Sequence, residues 1–297
     1  MRILVALDQH SYSNPAVREA AKLAINTWAD VTLMGVCPKT APRGRQSKKN
    51  TDQKIPEHAM VQALRNYRKH FLDCFQGKDS PYTTQLSGNE LIAVKRDVWE
   101  ELTADRGAIK DLKIRIRQDN PARAILAESL EEGSDLIVIG CDKDTRCMWE
   151  SAANVPQKIA NDANCSVLVV KGETTTNKIV CCLDHDKVSQ ESLEMINQMV
   201  TFHQAELGIV GLTDGEDLKI EVERKVGAIL QYYMARKLMP MIQLVETSAL
   251  ESFVSQEAQR SLMALWMGEK SILERIFPPR KLGKLIRTSR SSVLILR

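Results

Sequence analysis

The 297-residue sequence holds no apolar run of about 18 residues, so no membrane-spanning helix is expected. Its first residues, Met1-Arg-Ile-Leu-Val-Ala-Leu-Asp8, set an acid directly after a short apolar run. They lack the basic stretch and small-residue cleavage site of a secretory leader. Charge of one sign is not in excess either: 41 basic and 38 acidic residues leave a formal net charge of only +3, too little to argue for nucleic acid. Aromatics make up 5% of the chain. The basic stretch Arg275–Arg290 contains only Phe277 among them, where a single-stranded nucleic-acid site would interleave several for base stacking. The five histidines show no metal-ligand spacing with cysteine, which argues against a zinc site. Seven cysteines are scattered rather than clustered, several inside apolar runs, and fit reduced thiols in a cytoplasm better than a disulfide framework.

What the chain does have is an internal repeat. Arg2-Ile-Leu-Val-Ala-Leu-Asp8 matches Lys178-Ile-Val-Cys-Cys-Leu-Asp184, and Ala29-Asp-Val-Thr-Leu-Met-Gly-Val36 matches Ala205-Glu-Leu-Gly-Ile-Val-Gly-Leu212, both at an offset of 176. At the other end, Cys165-Ser-Val-Leu-Val-Val-Lys171 matches Ser291-Ser-Val-Leu-Ile-Leu-Arg297 at an offset of 126. The difference of 50 places extra sequence in the middle of the first copy. Two domains are expected, 1–171 with an insertion over about 38–110, and 178–297, joined by the polar linker 172–177.

Within the first copy, short apolar runs alternate with helix signals. Ile3–Leu7, Val31–Cys37, Lys113–Arg117, Leu136–Gly140 and Val167–Val170 read as strands. Asn14-Pro15 and Asn120-Pro121 read as a cap followed by a proline at the first helical position. Five strands with intervening helices predict an α/β fold, a mostly parallel, doubly wound sheet with helices on both faces, in each of two tandem Rossmann-like or flavodoxin-like domains. Ligands of such sheets bind beyond the carboxyl ends of the strands, which points to Asp8, Val36 and the segment after Gly140.

Ile3-Leu-Val-Ala-Leu-Asp8, Pro121-Ala-Arg-Ala-Ile125, Ser134-Asp-Leu-Ile-Val-Ile-Gly140 and Cys165-Ser-Val-Leu-Val-Val-Lys171 resemble, in order, the signature blocks of the universal stress protein family. That resemblance implies an adenine-nucleotide site in some members, built on a Gly-x2-Gly-x9-Gly-Ser/Thr loop whose glycines let backbone amides meet phosphate at a helix N-terminus. Here only Gly140 survives in the first copy, followed by Lys143 and by Ala153-Asn154, with Asn154 available as a capping side chain. In the second copy Gly268 is followed by Ser271 and by Pro279-Arg280, and the loop is two residues shorter. Asp8, Val36, Gly140, Lys143 and Asn154 are therefore the candidate residues for ATP or AMP in domain 1, with Asp8 equally readable as a turn acid. The reading that follows is a tandem, non-enzymatic stress or regulatory protein with degenerate nucleotide loops. It acts on a protein partner and is open to homodimer formation; an ATP- or AMP-responsive switch in domain 1 is the alternative. An enzyme with a phosphate loop after the first strand is disfavoured, because Asp8-Gln-His-Ser-Tyr-Ser13 holds no glycine.

Three further features allow two readings each. Cys141 and Cys147 are either incidental or a thiol pair tuned by Lys143 and Arg146. Lys39, Arg43, Arg45, Lys48, Lys49 and Lys54 form a solvated loop or an anion-binding arm. Met60, Leu64, Tyr67, Phe71 and Cys74 form one apolar stripe on a helix of about five turns, expected to pack on its own domain or on the second.

Overall fold

The structure is a computed structural model. It describes the chain outside residues 38–57, 76–79, 83–89, 103–107, 143–148, 150–153, 173–174, 184–187, 214–218 and 269–270, and outside the side chains of 219–225. The basic segment 39–54 and Lys143, Arg146, Cys147 and Asp184 thus lie outside the described residues.

The first half runs β1 (Arg2–Leu7), α1 (Ser13–Thr27), β2 (Asp30–Cys37), α2 (Ala59–Asp73), β3 (Leu91–Lys95), β4 (Val98–Glu101), β5 (Leu112–Gln118), α3 (Pro121–Glu132), β6 (Leu136–Cys141), α4 (Val155–Asp162) and β7 (Ser166–Lys171). The second runs β8 (Lys178–Cys182), α5 (Gln190–His203), β9 (Glu206–Thr213), α6 (Lys219–Met234), β10 (Met241–Glu246), α7 (Leu250–Glu257), β11 (Leu262–Trp266), α8 (Ile272–Ile276), α9 (Pro279–Thr288) and β12 (Val293–Leu296). All twelve strands join one sheet in the order β10-β9-β8-β11-β12-β7-β6-β1-β2-β5-β4-β3. Each half contributes five parallel strands in the Rossmann-type order 3-2-1-4-5, with the switch point between its first and fourth strands.

The halves meet where their last strands pair antiparallel, with Val293 opposite Val169 and Ile295 opposite Val167. The join has two-fold character in detail: the Lys171 amide donates to Ser292 Oγ at 3.1 Å, and the Arg297 amide donates to Ser166 Oγ at 3.3 Å. Helices α1 and α5 pack together on one face of this seam and α4 and α9 on the other. Two edges that would each expose Val and Leu are buried against one another.

Local chemistry explains most element ends. Asn120 accepts the Arg123 amide at 3.4 Å and Pro121 begins α3 at φ-compatible cost, as the sequence suggests. Helix α1 differs from expectation. It starts at Ser13, so Asn14 is not its cap and Pro15 is its third residue, because Ser13 is turned inward onto Asp8. The apolar stripe on α2 is real, with Met60, Leu64, Tyr67 and Phe71 buried against β2 and α1. The helix is one turn shorter than expected and ends before Cys74, which is only partly buried.

Two elements in the inserted stretch escaped the sequence reading. The β3–β4 hairpin adds antiparallel strands outside β5. Glu101 on one of its faces accepts from Arg65 at 2.8 Å and Arg68 at 2.5 Å, both on α2. Glu100 on the other face accepts from Arg115, which also bonds Glu128 and Glu132 of α3. The basic stretch Arg275–Arg290 is divided between two helices, because Pro278-Pro279 cannot continue α8.

Candidate functional site

The carboxyl ends of β1 and β6 flank the switch point of the first half, where Asp8, Tyr12, Ser13 and Gly140 are gathered. Asp8 is 1% exposed. Its Oδ1 accepts the His10 amide at 3.0 Å and the Ser13 hydroxyl at 3.0 Å, and its Oδ2 accepts the Tyr12 hydroxyl. The Asp8 amide in turn donates to Ser13 Oγ at 3.1 Å, and Tyr67 of α2 donates to the Asp8 carbonyl at 2.9 Å. Burial pushes the Tyr67 phenol above its ordinary range. The acid therefore ties the β1–α1 turn together, which is the turn-forming role the sequence left open for it.

Gly140 holds the other wall. A Cβ there would stand 2.4 Å from the Tyr12 carbonyl oxygen, so the glycine admits the β1–α1 turn. Tyr12 is buried in the same apolar cluster as Ile139, Val155 and Trp149, the last from the stretch aligned with the phosphate loop. Val36 is buried at the end of β2 in that cluster too. Asn154 is not among the residues buried in that cluster. It is exposed, takes a left-handed conformation at φ 62°, and its side chain makes no capping bond to α4, contrary to expectation. Thus Asp8, Val36 and Gly140 converge, while Lys143 falls outside the described residues. Sequence reasoning missed Tyr12, Ser13 and Trp149. The available signal was an aromatic four residues after the strand-ending acid and another within the loop.

The second half closes its equivalent crevice differently. Ser271, which stands in place of the second loop glycine, is fully buried, and its hydroxyl accepts the Glu274 amide at 3.0 Å to cap α8. Leu273 of this short helix and Phe277 just after it are buried in the core. The Trp266 ring lies over Gly268, 2.2 Å from an added Cβ. The cations of the α8–α9 region, Arg275, Arg280, Lys281, Lys284, Arg287 and Arg290, are all exposed, with Lys281 bonded to Glu251 at 2.6 Å. They form a solvated face rather than a cradle.

Cys141 is joined in a disulfide, so it is not one of the reduced thiols expected. Cys37, Cys74, Cys165, Cys181 and Cys182 are free. Cys181 and Cys182 are core residues, and burial pushes the Cys182 thiol up to about 12. No group of three or more His, Cys, Asp or Glu placed to hold a metal occurs among the described residues. No described helix is long and apolar enough to cross a membrane. A cavity of about 940 Å³ opens at the seam, lined in part by Leu23, Asp135, Cys165, Ser192, Trp266 and Arg297, and by none of Asp8, Val36, Gly140 or Asn154.

A doubly wound sheet repeated in tandem, with an acid at the first strand end and a glycine at the fourth, defines a tandem Rossmann-like class of α/β protein. The universal stress protein family model matches residues 1–171, more than half of the chain, and the chain belongs to that family. Solved structures agree on the fold. A universal stress protein from Archaeoglobus fulgidus DSM 4304 matches with a TM-score of 0.60 at 13% identity, over 100% of this chain and 98% of its own. A functionally unknown protein from Pseudomonas aeruginosa PAO1 matches at 0.53 and 15%, over 99% and 92%. The cytoplasmic domain of a prokaryotic cation chloride cotransporter matches at 0.50 and 11%, over 99% and 94%. No curated protein matches the sequence.

Proposed function

We propose that this is a tandem universal stress protein of domains 1–171 and 178–297, joined by 172–177, that regulates by binding a protein partner and has given up nucleotide. The observation that carries this reading is the Asp8 carboxylate, saturated by Tyr12, Ser13 and the His10 amide beneath a turn that leans on Gly140. An adenosine hydroxyl arriving at Asp8 would have to compete with these donors inside a buried turn, and any intramolecular bond it displaced would offset one that it gained. In the second half, the Glu274 amide at the start of α8 is already taken by the Ser271 hydroxyl. The reading assigns no catalytic step to either half. It sets the protein in the cytoplasm, in keeping with the buried free thiols of Cys37, Cys181 and Cys182.

A second reading, an ATP- or AMP-responsive switch confined to the first half, draws on the retained Gly140 and on Asn154, whose left-handed backbone opens α4 at the surface. Thermal unfolding with and without millimolar Mg-ATP or AMP separates the two. A ligand at 100 times its dissociation constant adds about 2.7 kcal/mol of stability. No shift is expected. A clear rise with either nucleotide, lost in Asp8→Ala, would establish the switch instead.

A further inference from the structure

Helix α9 carries its charge on one side and with one sign. Leu282, Leu285 and Ile286 are buried, whereas Arg280, Lys281, Lys284 and Arg287 are exposed, and the helix holds no acid. Arg280, Lys284 and Arg287 stand at i, i+4 and i+7, so they form one line along the solvent side, about 10 Å long by the rise of an α-helix. Among the described residues these three make no ion pair, while Lys281 beside them is bonded to Glu251. The helix packs on α4 at the seam, where the Asn161 side chain donates to the Pro279 carbonyl at 3.3 Å. Lys158 of α4, exposed next to the contact of Gln157 with Gly283, adds a cation from the first half.

The fold does not call for these charges. The first turn of a helix favours acids, yet Arg280 and Lys281 occupy that of α9, and no side chain caps it. Cations at the positive end of the helix dipole weaken the helix that carries them. By the repeat offset of 126, the positions of Arg280, Lys281 and Arg287 are held in the first half by Asn154, Val155 and Asn161, and only Lys284 has a basic counterpart, Lys158. The same strand and helix are thus built in the first half without them. Charge that costs local stability and serves no packing is expected at a functional surface.

We propose, resting on the partner-binding reading above, that the outer line of α9 is the docking surface for an acidic protein segment with carboxylates spaced along one face of a helix. Charge complementarity selects an acidic partner. Leu282, Leu285 and Ile286 of α9 and Phe277 before it are all buried. The surface of α9 therefore offers no apolar side chain to enter a bilayer and no ring to stack on a base. Three carboxylates on one face of a helix laid alongside repeat the spacing of Arg280, Lys284 and Arg287, so each cation meets one acid.

The test is fluorescence anisotropy of a labelled alanine-based peptide with glutamates at i, i+4 and i+7, titrated with the purified full chain at low ionic strength, where exposed charges are least screened. A peptide of the same composition with its glutamates spread around the helix is expected to bind at least about fivefold more weakly. Lys284→Glu and Arg287→Glu, both at exposed positions, are expected to raise the dissociation constant of the aligned peptide at least about tenfold by setting like charges against one another, with unchanged circular dichroism spectra. Arg96→Glu, at a side chain 96% exposed in the β3–β4 turn, is expected to leave that constant unchanged. No measurable binding of the aligned peptide, equal binding of the two peptides, or indifference to Lys284→Glu and Arg287→Glu would overturn the proposal. An oligothymidylate of equal charge or phosphatidylserine vesicles that bound more tightly than the aligned peptide, and lost binding in the same variants, would overturn it in favour of nucleic acid or membrane. Any of these failures leaves the partner-binding reading itself standing, because that reading falls on a rise of the unfolding temperature with nucleotide.

Discussion

Tyr12 and Gly140 interlock: the Tyr12 carbonyl oxygen sits 2.4 Å from where a Cβ on residue 140 would be. Both atoms belong to backbone elements fixed at the sheet end, so neither can swing aside as a flexible side chain would. Gly140→Ala is therefore expected to cost about 1–3 kcal/mol of unfolding free energy by forcing the β1–α1 turn outward. Gly227 of α6, whose added Cβ would meet nothing within 4 Å, is the control. There the same substitution is expected to add about 0.5–1 kcal/mol through helix propensity. Denaturant titration of both variants checks the pair, and equal effects of one sign would contradict the account.

If Asp8 is a structural acid, removing it weakens the fold and leaves ligand response untouched. Asp8→Ala strips partners from the Tyr12 hydroxyl, the Ser13 hydroxyl and the His10 amide, an expected loss of about 1–3 kcal/mol. Tyr12→Phe deletes a single donor and is expected to cost about 1 kcal/mol. Melting temperatures with and without Mg-ATP provide both readouts at once. Wild-type stability in Asp8→Ala would show that its bonds are dispensable.

The hairpin is held from one side by a buried ion network. Glu128 is fully buried and accepts from both Arg115 and Arg117, while Glu131, 41% exposed, bonds Arg117 and Lys95 near the surface. Carboxylate hydrogen bonds raise the Arg115 pKa against the opposing effect of its burial. Glu128→Ala leaves two guanidinium groups short of charge in the interior, and a loss of about 3–5 kcal/mol is expected. For Glu131→Gln the expected loss is below about 1 kcal/mol, since water screens that pair. Urea unfolding that ranks the two in the opposite order would refute the burial argument.

How much of this was legible beforehand depends on the range of the interaction. The parallel strands announced themselves as short apolar runs because they are buried on both faces, and Asn120-Pro121 announced α3 through cap chemistry that operates within one turn. The seam joins β7 and β12, the two closing strands whose apolar sequences match. Strand β4 was hidden because Glu100 and Glu101 are held by Arg115, Arg65 and Arg68, partners 15 to 36 residues away that no periodicity reports. At the candidate site, the loss of loop glycines could be counted, but the groups that took their place could not. Tyr12 reaches Asp8 only because its turn folds back over Gly140, and Ser271 looked like a damaged glycine until it proved to cap a helix.

Lys171 ends β7 with its side chain buried, donating to the Asp142 carbonyl at 3.4 Å. Burial lowers its pKa to about 8, against the pull of the Asp142 carboxylate in the other direction. The unfolded chain, with an ordinary lysine, holds its proton up to about pH 10.4, so between about 8 and 10.4 the unfolded state binds more protons than the folded one. Stability contributed by this group must therefore rise as pH climbs through that window, and below about pH 8 the full penalty of charging a buried amine applies. Lys171→Met keeps the aliphatic stem and removes the charge. It is expected to be more stable than wild type near pH 7 by an amount on the order of 2 kcal/mol, with the difference shrinking toward pH 10. Denaturant titrations of both proteins at the two pH values measure that difference directly. A gap that stays constant with pH would mean that Lys171 does not titrate in this range, and that its ammonium keeps its charge inside the fold.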